Sequence, residues 1–141
     1  MNIVFTANNN AEILTLPIVP PEFSIPEIVN NNEEFSIIGG VNGIGALNLI
    51  GLKSLRTLSI ASLFPNKYYS FVKVQKSGYD CVSFFKKWND KRVPIRIIVT
   101  HGDKKILNMA CTIETFTYDL DSAGDFPYTL ELKEFVFPVV K

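Results

Sequence analysis

Tyr128-Thr129-Leu130-Glu131-Leu132-Lys133-Glu134-Phe135-Val136 alternates apolar and polar residues with a period of two. Tyr128, Leu130 and Leu132 share one face, and Thr129, Glu131 and Lys133 share the other. This is the pattern of a strand with one buried and one wet side. The same period recurs upstream. Leu55–Phe64 alternates up to Pro65, with Leu58, Ile60 and Ser62 on one face and Thr57, Ser59, Ala61 and Leu63 on the other. Ile95–Thr100 reads as a strand, His101-Gly102-Asp103-Lys104 as its turn, and Ile106–Tyr118 as a long return strand. On that long strand, Met109, Cys111 and Ile113 are expected on one face and Glu114 and Phe116 on the other. Phe35-Ser36-Ile37-Ile38 is a further short strand, and Asp119–Pro127 is a polar connection.

Residues 79–92 change period. Cys81, Phe84, Phe85 and Trp88 fall at i, i+3, i+4 and i+7, which makes one apolar stripe of a helix, while Lys86, Lys87, Asn89, Asp90 and Lys91 form its wet side. Asp80 is the expected N-cap, and Val93-Pro94 ends the helix. Six to eight strands, one helix and no βαβ rhythm predict a mainly β fold. It is expected to be an antiparallel β-sandwich or split barrel packed on one α-helix. The expected core includes Phe85, Trp88, Ile97, Ile113, Tyr128, Leu130 and Leu132.

The chain has 141 residues, 47% of them hydrophobic, which suits one domain over 1–141. Residues 1–34 are expected to form an extended arm or edge strands, and 35–141 the β-barrel core. Asn8-Asn9-Asn10 and Asn30-Asn31-Asn32 favour turns, and Pro17, Pro20, Pro21 and Pro26 forbid a helix. Met1–Asn10 has no basic region before an apolar run, so no secretory signal is expected. No apolar stretch approaches the length of a membrane span. Charge is unevenly placed. Residues 1–52 carry five Glu and neither Lys nor Arg; residues 53–105 carry twelve basic residues against three Asp. Unlike faces of this kind suit a head-to-tail subunit contact. Candidate assembly residues are therefore Leu16, Pro17, Ile18, Pro20 and Phe23 in the N-terminal segment, Gly40, Gly43 and Gly45 in the glycine-rich loop, and Arg56 in the basic centre. Residues 13–30 and 39–52 are expected to gain order on assembly.

No motif points to catalysis, a cofactor or a metal. The run from Gly43 lacks the third glycine of a dinucleotide fingerprint and the Lys-Ser/Thr of a P-loop. Gly40-Val41-Asn42-Gly43 joins strands, whereas the similar KH loop joins helices. Asp119–Gly124 begins like a calcium loop, but Ala123 and Leu130 occupy the fifth and twelfth positions, where ligands are needed. His101 is the single histidine and sits in a turn. Glu33-Glu34 lies in a wet stretch that would not raise a carboxyl pKa. Cys81 and Cys111 are too few for a disulfide framework and are expected to be reduced and buried.

The order of several segments carries a resemblance. Leu16-Pro17-Ile18-Val19-Pro20-Pro21-Glu22 opens the chain's match, and Thr57–Pro65 and the helix ending in Trp88 follow. Then come Val93–Thr100, Asn108, Ile113–Tyr118, Ala123-Gly124-Asp125 and Tyr128–Phe135. Across about residues 13–136 this resembles the N-terminal domain of LysM-containing tail proteins of contractile phages and phage-derived particles. More distantly, it is similar to the protein that initiates the tail tube. The resemblance implies a tail-tube-like fold and a structural role at the junction of tube and baseplate. The implied partners are copies of itself in a six-fold ring and neighbouring tube, hub or baseplate proteins, with no direct nucleic-acid specificity and no membrane insertion. The implied place is the particle's tail, after synthesis in the host cytoplasm. Lys141 closely follows the last expected strand, so the LysM module and its glycan binding are not carried over. The alternative is a carbohydrate or cell-wall binding module, for which Phe23, Tyr68, Tyr69 and Phe71 are the aromatic candidates.

Overall fold

The computed structural model describes residues 1–26, 28–36, 46–66, 69 and 77–137. The elements run β1 (Asn2–Ala7), β2 (Glu12–Thr15), β3 (Glu33–Ser36), β4 (Ala46–Leu49), β5 (Thr57–Phe64), α1 (Gly78–Asp90), β6 (Ile95–His101), β7 (Lys104–Tyr118) and β8 (Phe126–Glu134). Six strands form one antiparallel sheet in the order β2-β1-β6-β7-β8-β5, and β3 pairs with β4 in a separate two-stranded ribbon. The mainly β, one-helix fold expected from the sequence is the one observed. Ser62 Oγ of β5 donates to the Ile18 carbonyl just beyond β2 at 3.3 Å, so the two ends of the large sheet approach each other there.

Burial alternates along the sheet as the periodicity requires. Phe5, Ile97, Leu130 and Leu132 are buried on the inner face, and Phe85 and Trp88 of α1 lie in the same core cluster. Phe85 is the hub of an aromatic cluster: its ring meets Phe5 edge-on at 5.0 Å, Phe84 edge-on at 5.3 Å and Phe64 stacked at 6.0 Å. Tyr128 stacks on Phe64 at 3.8 Å, and Ile113 packs half-buried against the cluster.

Three local expectations are corrected. The helix is capped by Ser77, whose side chain accepts from the Tyr79 amide; Asp80 lies in the first turn, where its charge favours the helix dipole instead. Phe116 is on the inner face with Ile113. A bulge between Ile113 and Thr115 inserts one unpaired residue and flips the alternation, so Phe116 sits opposite Leu130 and packs on the core. The N-terminal residues are not all arm or edge. β2 is an edge strand, but β1 is interior, paired with β2 on one side and β6 on the other. Its Ile3, Phe5 and Ala7 are buried. The β1–β2 turn is made by Asn8, Asn9 and Asn10 at φ 52°, 55° and 66°, a conformation that asparagine tolerates better than most residues.

Asn66 ties α1 to the start of β8. Its amide donates to Asp125 Oδ1 at 2.8 Å, its Nδ2 donates to the Gly124 carbonyl at 2.7 Å, and its Oδ1 accepts from the Gly78 amide at 2.8 Å. A Cβ on Gly78 would lie 2.8 Å from Asn66 Oδ1 and 2.9 Å from the Phe126 ring, so the first helical residue has to be glycine.

Candidate assembly surface

The ribbon begins as a ladder. Glu33 pairs with Leu49, Glu34 with Asn48, Phe35 with Leu47 and Ser36 with Ala46. Pairing continues below β3 and β4. The Asn31 amide donates to the Leu52 carbonyl at 2.8 Å, Asn30 bridges Lys53, and the Ser54 amide donates to the Val29 carbonyl at 2.7 Å. Asparagine side chains fasten the join: Asn32 Oδ1 accepts from the Gly51 amide at 2.8 Å, and Asn31 Oδ1 accepts from Ser54 Oγ at 2.9 Å. Gly51 has no room for a side chain, since a Cβ there would fall 1.6 Å from the Asn31 carbonyl oxygen.

Six large apolar side chains on this ribbon are uncovered. Ile50 is 87% exposed, Leu52 84% and Ile28 70%, and Val29, Leu47 and Leu49 are about half exposed or more. A two-stranded ribbon is marginally stable by itself, and exposed apolar residues at this density make it the candidate interaction surface among the described residues. Its base is pinned to the body. Arg56 and Glu134 form an ion pair at 3.1 Å, Glu134 Oε1 accepts from the Arg56 amide, and the Glu134 amide donates to the Arg56 carbonyl at 2.7 Å. The hydrogen bond from Arg56 holds the Glu134 carboxyl below its usual pKa.

The structure distributes the expected assembly residues unevenly. Leu16, Pro17 and Pro20 are buried in this chain, and Ile18 and Phe23 are half-buried. Leu16 is only 1% exposed, and its amide donates to the Ile3 carbonyl at 2.9 Å. Prolines keep this segment out of a ladder but do not keep it out of the core, so Leu16, Pro17 and Pro20 are corrected from outward contacts to internal packing. The Arg56 charge is satisfied by Glu134 rather than presented outward. Gly40, Gly43 and Gly45 lie outside the described residues. Ile28, Val29, Leu47, Leu49, Ile50 and Leu52 lie within the segments 13–30 and 39–52 expected to gain order on assembly, but were not singled out individually. Their signal was legible: apolar residues flank turn-prone Asn30–Asn32 and the glycine-rich loop, in two arms that can pair.

The groups weighed for chemistry are dispersed. His101 and Asp103 are exposed at the β6–β7 turn, where Gly102 takes φ 63°. Asp121 Oδ1 accepts from the Ala123 and Asp125 amides, both at 2.9 Å, and so shapes the β7–β8 connection. Among the described residues no group of three or more His, Cys, Asp or Glu side chains is placed to hold a metal ion. Cys81 and Cys111 are both buried, and burial pushes the Cys111 thiol up to about 12. Of the aromatic candidates for glycan binding, Phe23 packs against the core and the Tyr69 hydroxyl donates to Asp125; Tyr68 and Phe71 lie outside the described residues. No family model matches the chain, and no curated protein matches it.

Proposed function

We propose that this chain is a structural subunit of a contractile phage tail or phage-derived particle, acting at the junction of tail tube and baseplate by assembling with copies of itself and with neighbours. The observation that carries the assembly reading is the ribbon over residues 28–36 and 46–54, which holds Ile28, Ile50 and Leu52 in water in one short stretch, whereas the exposed apolar residues of the body, such as Leu120 and Val136, are scattered around a buried core. The resemblance of residues 13–136 to tail-protein domains supplies the setting. A body locked by antiparallel pairing gives the rigidity that a ring component needs.

Covering Leu47, Leu49, Ile50 and Leu52 on a partner contributes about 4–8 kcal/mol, when each side chain is scaled by its exposed share. Association costs about 4–15 kcal/mol in lost freedom. One ribbon therefore supports weak pairing, and stable assembly needs several contacts closing together, as a ring provides. Sedimentation from dilute to concentrated solution tests this. Mass should rise in subunit multiples, and a strict monomer throughout would overturn the reading. Labelled subunit should also appear in tail particles by negative-stain imaging; particles without label would remove the tail setting.

A further inference from the structure

We infer that a groove on the outer face of the large sheet receives the apolar ribbon of a second copy of this chain, head to tail. The inference rests on the assembly reading and specifies its contact. The groove has a volume of about 820 Å³ and runs between the Asn8–Asn10 turn, the end of α1 and Phe137. Its floor comes from the outward side of the central strands, where Thr6, Arg96 and Ala110 stand in register across β1, β6 and β7. Val93, Ile98 and Phe137 make its apolar lining, and Lys91, Arg96 and Lys105 are its charges. None of its described lining residues is acidic, and none of the three cations makes an ion pair among the described residues. Arg96 instead donates to Asn108 Oδ1 at 2.8 Å, and Lys91 sits 4.7 Å over the Trp88 ring. Trp88 also lines the groove, and its buried Nε1 has no acceptor.

The ribbon has the opposite character. Across residues 28–54 the sequence holds Glu33 and Glu34 and a single cation, Lys53, at the ribbon's base beside Asn30. Glu33 and Glu34 are exposed and form no ion pair among the described residues. Unpaired carboxylates on an apolar ribbon thus match unpaired cations on an apolar groove. No ribbon residue lines the groove within one chain, so each copy presents both halves of the contact. Because the two surfaces differ, the contact is heterologous and propagates around a ring.

The test uses the full chain. Lys91→Glu with Lys105→Glu should weaken self-association about tenfold or more, and so should Glu33→Lys with Glu34→Lys. Carrying both pairs in one chain should restore association, whereas combining Lys91→Glu and Lys105→Glu with Glu22→Lys and Glu131→Lys, which restores the same net charge away from the ribbon, should not. Circular dichroism melting should confirm that each variant stays folded. In a second arm, chains carrying Leu49→Cys are mixed with chains carrying Lys105→Cys and treated with a short bismaleimide. Cross-links should form between the two kinds of chain and rarely within one kind; Cys81 and Cys111 are buried and do not compete. If the wild type associates while charge reversals change nothing and no mixed cross-link forms, the groove contact is wrong and the assembly reading stands. If the wild type never associates, both fall.

Discussion

In β8, Leu130 and Leu132 are 0% and 1% exposed; in the ribbon, Ile50 and Leu52, side chains of the same size and hydropathy, are 87% and 84% exposed. Both regions are antiparallel strands. The sheet has a helix to close on, and its Phe5 and Phe64 meet the helix's Phe85 in one aromatic cluster. The ribbon has only its own two strands. Strand pairing satisfies backbone hydrogen bonds in either setting, but only a third layer removes side chains from water. The sheet's inner face is thus covered within one chain, whereas the ribbon's apolar side chains are left in water.

The largest effects should fall on the body. Leu132→Asp places a charge on the fully packed inner face and should prevent soluble folding, read as loss of the monomer peak on gel filtration. Phe85→Ala should cost about 3–5 kcal/mol in urea unfolding. A loss below about 1 kcal/mol would mean that α1 does not close the sheet.

The ribbon should respond in the opposite way. Gly51→Ala cannot be accommodated 1.6 Å from the Asn31 carbonyl, so the ladder must open. The body's melting temperature should move by less than about 2 °C, while self-association falls sharply. A large drop in melting temperature would show that ribbon and body form one cooperative unit, which would erase the contrast.

Arg56 and Glu134 join the two regions. Because the folded Glu134 carboxyl titrates below its unfolded value, its contribution is complete above the ordinary carboxylate range and is lost as pH falls through the folded pKa. Glu134→Gln should cost about 1 kcal/mol at neutral pH. The gap between wild type and variant should close in acid, as followed by melting curves from pH 7 down to about pH 3. A gap that persists in acid would assign the cost to packing.

The smallest effect should be a gain. Arg92 follows α1 at φ 55°, a left-handed position usually taken by glycine. Arg92→Gly should add about 0.5–1 kcal/mol to body stability and leave association unchanged.

The body was legible where one period ran without interruption. The stripe Cys81–Phe84–Phe85–Trp88 marked α1, and Tyr128–Leu130–Leu132 marked the buried side of β8. Phe116 was assigned the wrong side because a bulge leaves no trace in a two-residue alternation: Glu114 reads as one more polar residue. β1 was passed over although Ile3, Phe5 and Ala7 alternate, because the surrounding Asn and Pro suggested a loose arm. Whether a strand lies at an edge or inside a sheet depends on partners far along the chain, which local pattern does not contain. For the assembly surface, the sequence pointed to the segment around 39–52 but weighted its glycines. The uncovered side chains before and after them became visible only once the two arms were paired.

The interior position of β1 also imposes an order of events during synthesis. Asn2 must wait for Thr100 before its pairing with β6 can form. At cellular translation speeds that wait is about 5–20 s, far longer than a hairpin such as β6–β7 needs to close. A nascent chain thus spends seconds with β1 paired only to β2 and its other edge open. Fusions or tags that tether Met1 should slow maturation and raise losses to inclusion bodies more than the same additions at the far terminus.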